Sequence, residues 1–386
     1  MNAQEKAFFA CLTENRKRIA DALDTPAVRG FRSSVVDKYS DQAHFIYELL
    51  QNADDAGATE VRFVLKKNAL EFFHNGTRHF SLSDPEKEAE DGTNGTLGDI
   101  NAITSVANSS KKDSNQIGKF GVGFKAVFQY TDTPMIYDPD FAFRIERLIV
   151  PVLLDDDHPD RKSEETLFVF PFNKADMPME TAFEDIENKL KHLVYPVLFL
   201  RHLRMVCYDC GDAQGMYQEI IEKSVQQDQL NAQYIQFVQE EGDKKVLDHL
   251  WLFTRETKEG YSVAVAFFVT SDGRLLPKPA EAFCFFPTKE KTGLKFFIHA
   301  PFQLTDSREG IRAGMSHNRN MISALARLAA DALLAFTSIG RDEERTYITD
   351  EILNIIPYDQ EKFRVEDERA QISFMPFYNR ILDLFR

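Results

Sequence analysis

The most constraining stretch of this chain is an amphipathic helix pattern followed at once by a strand hairpin. From Asp41 to Ala53, apolar residues recur at helical spacing: Ala43, Ile46, Tyr47, Leu50 and Ala53. DDAGAT then breaks the pattern. Glu60 to Leu65 (EVRFVL) alternates as a strand, and Ala69 to Phe73 pairs with it across the KKN turn. Further strand-like runs, PMIYD, FAFRIE and TLFVFPF, lie downstream.

The rest of the chain is organised around that core. A helical segment runs from the N-terminus to about Leu23, and the extended stretch TPAVRGFRSSVVDKYS follows. A polar, Gly-containing stretch runs from Thr77 to about Gln116, a length that points to a functional lid or an insert. A Gly-rich turn opens a helix at Gly118–Tyr130. Glu180–Arg201 reads as a helix leading into a second domain. That domain has strands near Leu203–Tyr208, His249–Thr254, Ser262–Thr270, Ala282–Phe286 and Leu294–His299, then a helix over Asn318–Thr337. The chain stops on ILDLFR, inside an apolar helical pattern with no capping glycine, so it reads as the front part of a longer protein.

Composition narrows the function classes. At 386 residues the chain is long enough for two domains. Apolar residues make up 43% and charged residues 28%, which excludes a mainly disordered chain. No apolar run approaches the roughly 18 residues a membrane span needs. The N-terminus lacks a basic-then-apolar signal layout, so a cytoplasmic protein with no membrane partner is expected. The net charge of −15 makes nucleic acid a poor partner. Cys11, Cys207, Cys210 and Cys284 include one Cys-x-x-Cys and no second pair to complete a zinc set, so they read as reduced structural thiols. The nine histidines show no metal spacing, and the 33 phenylalanines read as core.

Three pieces carry chemistry. In ELLQNADDAGAT (48–59), Glu48 and Asn52 stand four apart and share a helix face. A carboxamide oxygen suits Mg²⁺, a hard cation, and a carboxylate can orient and deprotonate a water. By itself, a solvated pair on a surface helix is the commoner arrangement. In FHNGTRHF (73–80), a glycine after a short polar residue lets the backbone turn sharply beside a flat base; alone it is a turn. In IGKFGVGFKAVF (117–128), Gly118, Gly121 and Gly123 precede a helix whose amides and N-terminus can wrap an anion. Neither a Walker A loop nor a dinucleotide fingerprint fits this turn. Lys119 and Lys125 flank it, and Lys125 reads as a solvated helix residue.

In this order, the pieces resemble the GHKL superfamily of gyrase, heat-shock chaperone, histidine kinase and MutL ATPases. The resemblance covers about residues 30–172, and ELLQNADDA with GKFGVGFKAVF is most similar to the sacsin-like and heat-shock-chaperone-like branch. It implies an α+β chain: a Bergerat-fold α/β sandwich over 1–178, with a lid at about 77–117, then a smaller α+β transducer-like domain over 179–340. A helical segment over 341–386 would follow. ATP and Mg²⁺ are the implied cofactors. Glu48 would be the general base, Asn52 the Mg²⁺ ligand and Asp55 an acidic residue near the nucleotide. Gly118, Lys119, Phe120, Gly121, Val122, Gly123 and Phe124 would surround the phosphates, largely through backbone amides. Ser109, Ser110 and Lys111, at the lid's end, would touch ribose or phosphate. The family usually places Asp-x-Gly-x-Gly at the adenine site, whereas this chain has His74-Asn75-Gly76 and no carboxylate; Asn75 or His74 could accept instead.

The second domain carries GLKFFIHAPFQLTDSREGIR (293–312), whose Arg308 resembles the arginine that reaches the γ-phosphate in heat-shock chaperone ATPases. An ion pair with Asp306 or Glu309 is its alternative role. The resemblance implies slow ATP hydrolysis coupled to lid closure and to domain rearrangement or homodimerisation, with an unknown protein client or appended effector. Three other readings stand beside it: a nucleotide sensor without hydrolysis, a histidine-kinase catalytic domain, and a MutL- or microrchidia-like nucleic-acid clamp.

Overall fold

The computed structural model describes residues 1–25, 44–105, 123–227, 230–305, 308–367 and 369–385. The chain is mixed α+β and divides into two compact units, Met1–Tyr217 with Glu240–Lys244, and Gln218–Gln239 with Lys245–Arg386. The first division thus falls at Tyr217, further along the chain than the boundary near 178 read from sequence.

The first unit opens with α1 (Ala3–Leu23). Asn2 and Glu5 cap it reciprocally, each side chain accepting from the other's backbone N–H. Its apolar face buries Phe9, Leu12 and Ala20, and Ala20 packs with Ile149 and Val150. Next comes α2 (His44–Asp55), whose Ile46, Leu49, Leu50 and Ala53 are buried, as the helical spacing predicts. It ends because Gly57 takes a left-handed φ of 76°, which a side chain resists.

A hairpin follows, β1 (Glu60–Lys66) and β2 (Ala69–His74), in the register Val61↔His74 to Lys66↔Ala69. Then come β3 (Met135–Tyr137), β4 (Ala142–Glu146), β5 (Val150–Leu153), β6 (Thr166–Pro171) and β7 (Met205–Asp209). They form a mixed sheet in the order β7-β1-β2-β6-β3-β4-β5, in which only β1 and β7 pair in parallel. Phe168 on β6 is an aromatic hub, its ring 5.9–6.0 Å from those of Phe72, His74, Phe80 and Phe124. Buried aromatic surface of this density is a major stabilising term.

Four expectations change here. The stretch after Thr77 is not uniformly loop: α3 (Glu88–Asn94) and α4 (Asp99–Ile103) lie within it. Asn101 braces them, its side chain accepting from Ser83 N–H and donating to Ser83 O and Glu88. The helix after the Gly-rich turn is a 3-10 helix, Gly123–Gln129. The helix expected over 180–201 is α5 (Met179–Lys191) alone, because Pro196 disfavours helical backbone at Tyr195, whose φ is 44°. Lys125 is buried rather than solvated, as described below.

The strands β8 (Gln214–Gln227) and β9 (Leu230–Glu241) span the residues at which the two units divide. The second unit adds β10 (Lys244–Glu256), β11 (Ser262–Val269), β12 (Leu275–Leu276), β13 (Glu281–Cys284), β14 (Phe286–Lys291) and β15 (Phe297–His299). Its strand order is β14-β13-β15-β11-β10-β9-β8, with β12 on β11 and the pair β13–β15 parallel. The single strand expected over 282–286 is two, because Phe285 takes a φ of 65° between them.

Helix α6 (Ser316–Asp342) supplies much of this unit's core, including Leu325, Ala329, Leu333 and Phe336. Among the described residues it is one helix long and apolar enough to cross a membrane, and 61% of that stretch is buried in the protein, as in the core helix of a folded domain. The C-terminal segment is part of the same core through Ile355, Phe363 and, on α7 (Met375–Leu382), Phe377 and Ile381.

Candidate functional site

Asn52 and His74 meet in one hollow of the first unit, with Ala56, Arg78, His79, Phe80, Asp99 and Phe168 around them. Asn52 comes from the last turn of α2 and His74 from the end of β2. The hairpin register sets the second position, pairing His74 with Val61 on one side and Thr166 on the other. Phe168 and Phe80 give the hollow an aromatic wall.

The backbone approaches closely here. A Cβ on Gly76 would stand 2.8 Å from Ala56 Cβ and 2.9 Å from His74 Nδ1, so only glycine fits. Gly76 N–H donates to His74 Nδ1 at 3.1 Å, which leaves the ring proton on Nε2. His74 is buried, and burial with the neighbouring His79 pushes its pKa down to about 4, so the ring is neutral at pH 7. Asn75 turns away from the hollow. Its Oδ1 accepts from the N–H groups of Thr59 and Glu60, and its Nδ2 donates to Thr59 Oγ1.

The rim is ionic. Arg78 pairs with Asp99, whose other oxygen accepts from Ser81 N–H at 3.2 Å and Ser81 O–H at 2.8 Å. These contacts hold the first turn of α4 against 78–81. FHNGTRHF supplied His74, Asn75 and Gly76 as sequence candidates. Arg78 and His79 sit in the same string, and nothing in their local pattern marks them. Asp99 comes from further along the chain, and no local pattern marks it.

Glu48 lies one turn before Asn52 on α2 and is buried, as is Asn52 itself. Asp55, at the helix end, is half-buried. Its neighbour Asp54 is fully buried, its carboxylate accepting from the N–H groups of Arg201, His202 and Leu203 at 2.7–3.1 Å. Gly123 begins the 3-10 helix, and the Phe124 ring packs on Phe168 and Phe170. Ser109, Ser110, Lys111, Gly118, Lys119, Phe120, Gly121 and Val122 lie outside the described residues. Arg308 belongs to the second unit, in the turn closed by the Leu304↔Ile311 bridge, with a φ of 59°. Its neighbour Glu309 pairs with Lys289.

Lys125 is 3% exposed, and its ammonium donates to Ile103 O at 2.7 Å and Leu148 O at 2.6 Å. It ties the 3-10 helix to the end of α4. Arg16 of α1 reinforces the same corner, bonding both oxygens of Glu88 and the carbonyl of Asn101. Burial pushes the Lys125 pKa down to about 7. A lowered lysine pKa destabilises the fold below pH 7, where both states hold the proton. The cost is relieved as pH rises, because the unfolded chain then binds more protons. Relative to Lys125→Met, wild type should gain about 2 kcal/mol between pH 7 and 9, read by urea unfolding at both values. A pH-independent difference would contradict the buried-ammonium assignment.

Among the described residues, one group of candidate metal ligands lies outside the hollow: Glu71, His158 and Asp160. The Lys66 ammonium bonds both carboxylates, Glu71 at 2.5 Å and Asp160 at 3.3 Å, so an internal cation already balances this cluster. All four cysteines are free, and burial raises the pKa of Cys207, Cys210 and Cys284.

Comparison with known proteins bears on this unit most. Residues 29–143 match the family model of the sacsin domain. The stretch is sacsin-like. It contains α2, the hairpin, the Gly-rich turn and every residue lining the hollow except Phe168. The chain is 32% identical over 123 residues to human Sacsin, covering 30% of this chain and 3% of that protein. It is 27% identical over 337 residues to Protein NO VEIN of Arabidopsis thaliana, covering 78% of this chain and 11% of that protein. It is 30% identical over 116 residues to the chaperone protein HtpG of Aliarcobacter butzleri, covering 24% of this chain and 18% of that protein. The chain therefore spans under a fifth of the length of each of these relatives.

Proposed function

We propose that the first unit is a GHKL-type, Bergerat-fold module that binds ATP with Mg²⁺ and hydrolyses it slowly. The observation that carries this reading is the convergence of Asn52, at a helix end, and His74, at a strand end, on one aromatic-walled hollow beside Gly76. Similarity to the sacsin domain and to the chaperone protein HtpG supports the same reading.

The residues present fit the group. Mg²⁺ keeps several waters and takes few protein oxygens, so the single Asn52 carboxamide suffices as a protein ligand. When bound, ATP with Mg²⁺ supplies the phosphoanhydride and neutralises phosphate charge. Phe168 and Phe80 offer a flat apolar surface to a base. Glu48 orients and deprotonates water. In this reading Gly118–Phe124 would hold phosphate oxygens through backbone amides, Ser109, Ser110 and Lys111 would contact ribose or phosphate, and Asp55 would lie near the nucleotide. The hollow holds about 10 Å³, room for one water, so a base enters only when the rim opens.

Opening and closing of this rim couples nucleotide state to rearrangement of the second, transducer-like domain or to homodimerisation. Under this reading the chain is a chaperone-like or effector-regulating ATPase, with the client open. One feature favours a sensor without hydrolysis: the position of the usual adenine-binding carboxylate holds a neutral histidine.

The test is ATP binding by titration calorimetry with and without Mg²⁺, on wild type and Asn52→Ala. Wild type should bind more tightly with Mg²⁺. The variant should lose at least tenfold in affinity together with the Mg²⁺ dependence. Equal, Mg²⁺-dependent binding by both proteins would remove Asn52 from the metal.

A further inference from the structure

We propose that His79, held in one tautomer by the buried carboxylate of Asp138, accepts a hydrogen bond from the exocyclic amino group of the nucleotide base, with His74 as the adjacent donor. The inference rests on the nucleotide reading above and names how that site recognises adenine.

Neither residue at the usual carboxylate position can accept this bond. His74 Nδ1 is used by Gly76 N–H, so its remaining nitrogen carries a proton and only donates. The Asn75 carboxamide is occupied by Thr59 and Glu60. The acceptor must come from elsewhere in the hollow.

His79 has the required geometry. Its Nδ1 is buried and has no hydrogen-bond partner among the described residues. The neighbouring charge is Asp138 Oδ2, 3.5 Å away. The Asp138 side chain is wholly buried. Its Oδ1 accepts from Asp140 N–H at 3.1 Å, and its Oδ2 accepts from Thr166 O–H at 3.0 Å. No hydrogen bond joins the two groups at that separation, but a carboxylate facing one ring nitrogen favours the proton on that nitrogen by charge. In the neutral ring Nε2 is then left with a lone pair. The His79 side chain is 32% exposed and lines the hollow, and Nδ1 is its buried nitrogen.

The hollow thus offers one N–H donor, one nitrogen acceptor and an aromatic wall. The Watson–Crick edge of adenine is their complement: an amino donor beside the N1 acceptor. Asp138 acts through His79 and is a positioning residue. Thr166 pairs across the sheet with His74, so one strand register sets the spacing of both histidines.

The experiment compares the affinity of ATP with that of purine riboside triphosphate, which lacks the amino group, by titration calorimetry with Mg²⁺. Wild type should prefer ATP by about tenfold, the usual scale of one neutral hydrogen bond. In His79→Leu the preference should fall to about one, while the analogue binds as in wild type. His79→Gln, which keeps an acceptor, should restore part of it. Asp138→Asn offers an amide N–H to Nδ1 and frees the tautomer, so it should also reduce the preference; a thermal melt checks that it folds. Retention of the tenfold preference in His79→Leu would overturn the proposal and leave the nucleotide reading intact. No ATP binding by wild type would overturn both.

Discussion

Glu48→Ala should lower ATP turnover by about 10²- to 10⁴-fold while ATP affinity stays within about threefold of wild type. That range is what a positioned general base contributes to a proton transfer in the transition state. The separation of the two effects follows from placement. Glu48 stands one turn away from Asn52 on α2, and Asn52 borders the hollow while Glu48 is absent from its lining. Removing the carboxylate therefore costs the chemical step more than the bound state. The measurement is steady-state phosphate release beside calorimetric binding on the same protein, with Glu48→Gln as a variant of near-equal volume. Glu48 is buried, so a melting curve shows whether the truncation has loosened α2. Turnover at the wild-type rate in both variants would end the role of Glu48 as base. Binding without turnover in wild type as well would favour the sensor.

Asp54→Ala should destabilise the protein by about 3–5 kcal/mol. Its carboxylate is the acceptor for three consecutive backbone amides, those of Arg201, His202 and Leu203, and none of its surface is exposed. Hydrogen bonds to a charged group each contribute about 1.5–3 kcal/mol, and buried donors left without a partner carry a desolvation cost. Partial entry of water keeps the total below the sum. These amides lead directly into β7, which pairs in parallel with β1, so the loss should loosen that edge of the sheet. Urea midpoints of wild type and Asp54→Ala, with slopes compared for two-state behaviour, give the number. A loss under about 1 kcal/mol would mean that 201–203 finds another acceptor. In the string Asn52-Ala53-Asp54-Asp55 the two acidic residues look interchangeable, and only burial separates them.

Asn52, His74 and Gly76 were legible because each belongs to a local pattern: a helix face, a strand end, a turn. Asn75 was read from the same pattern as a base acceptor, yet its side chain is committed to the turn after α2. Lys125 reads as an exposed helical lysine, yet it lies on the inward side of a 3-10 helix, where two carbonyls hold its ammonium. In each case the residue type fitted its local context, and the partner that decided its role came from another element.

The segments β8 and β9 make the same point for the fold. EIIEKSVQQ and NAQYIQFVQEE are rich in Glu, Gln and Lys, residues that favour helices in isolation, and no strand was read there. They are strands because strand propensity is weak beside pairing with neighbours, and β9 lies between β8 and β10.

Short-range periodicity in the sequence encodes the apolar face of α2, the existence of the hairpin β1–β2, the core helix α6 and the order of the three motifs. Tertiary structure alone decided which side chains lose water and which distant groups they then meet. Asp138 reaches His79 from 59 positions along the chain, and Asp54 reaches 201–203 from nearly 150. Such pairings depend on strand order and burial, which no local window contains, and burial is what turns an ordinary polar side chain into one with a fixed partner.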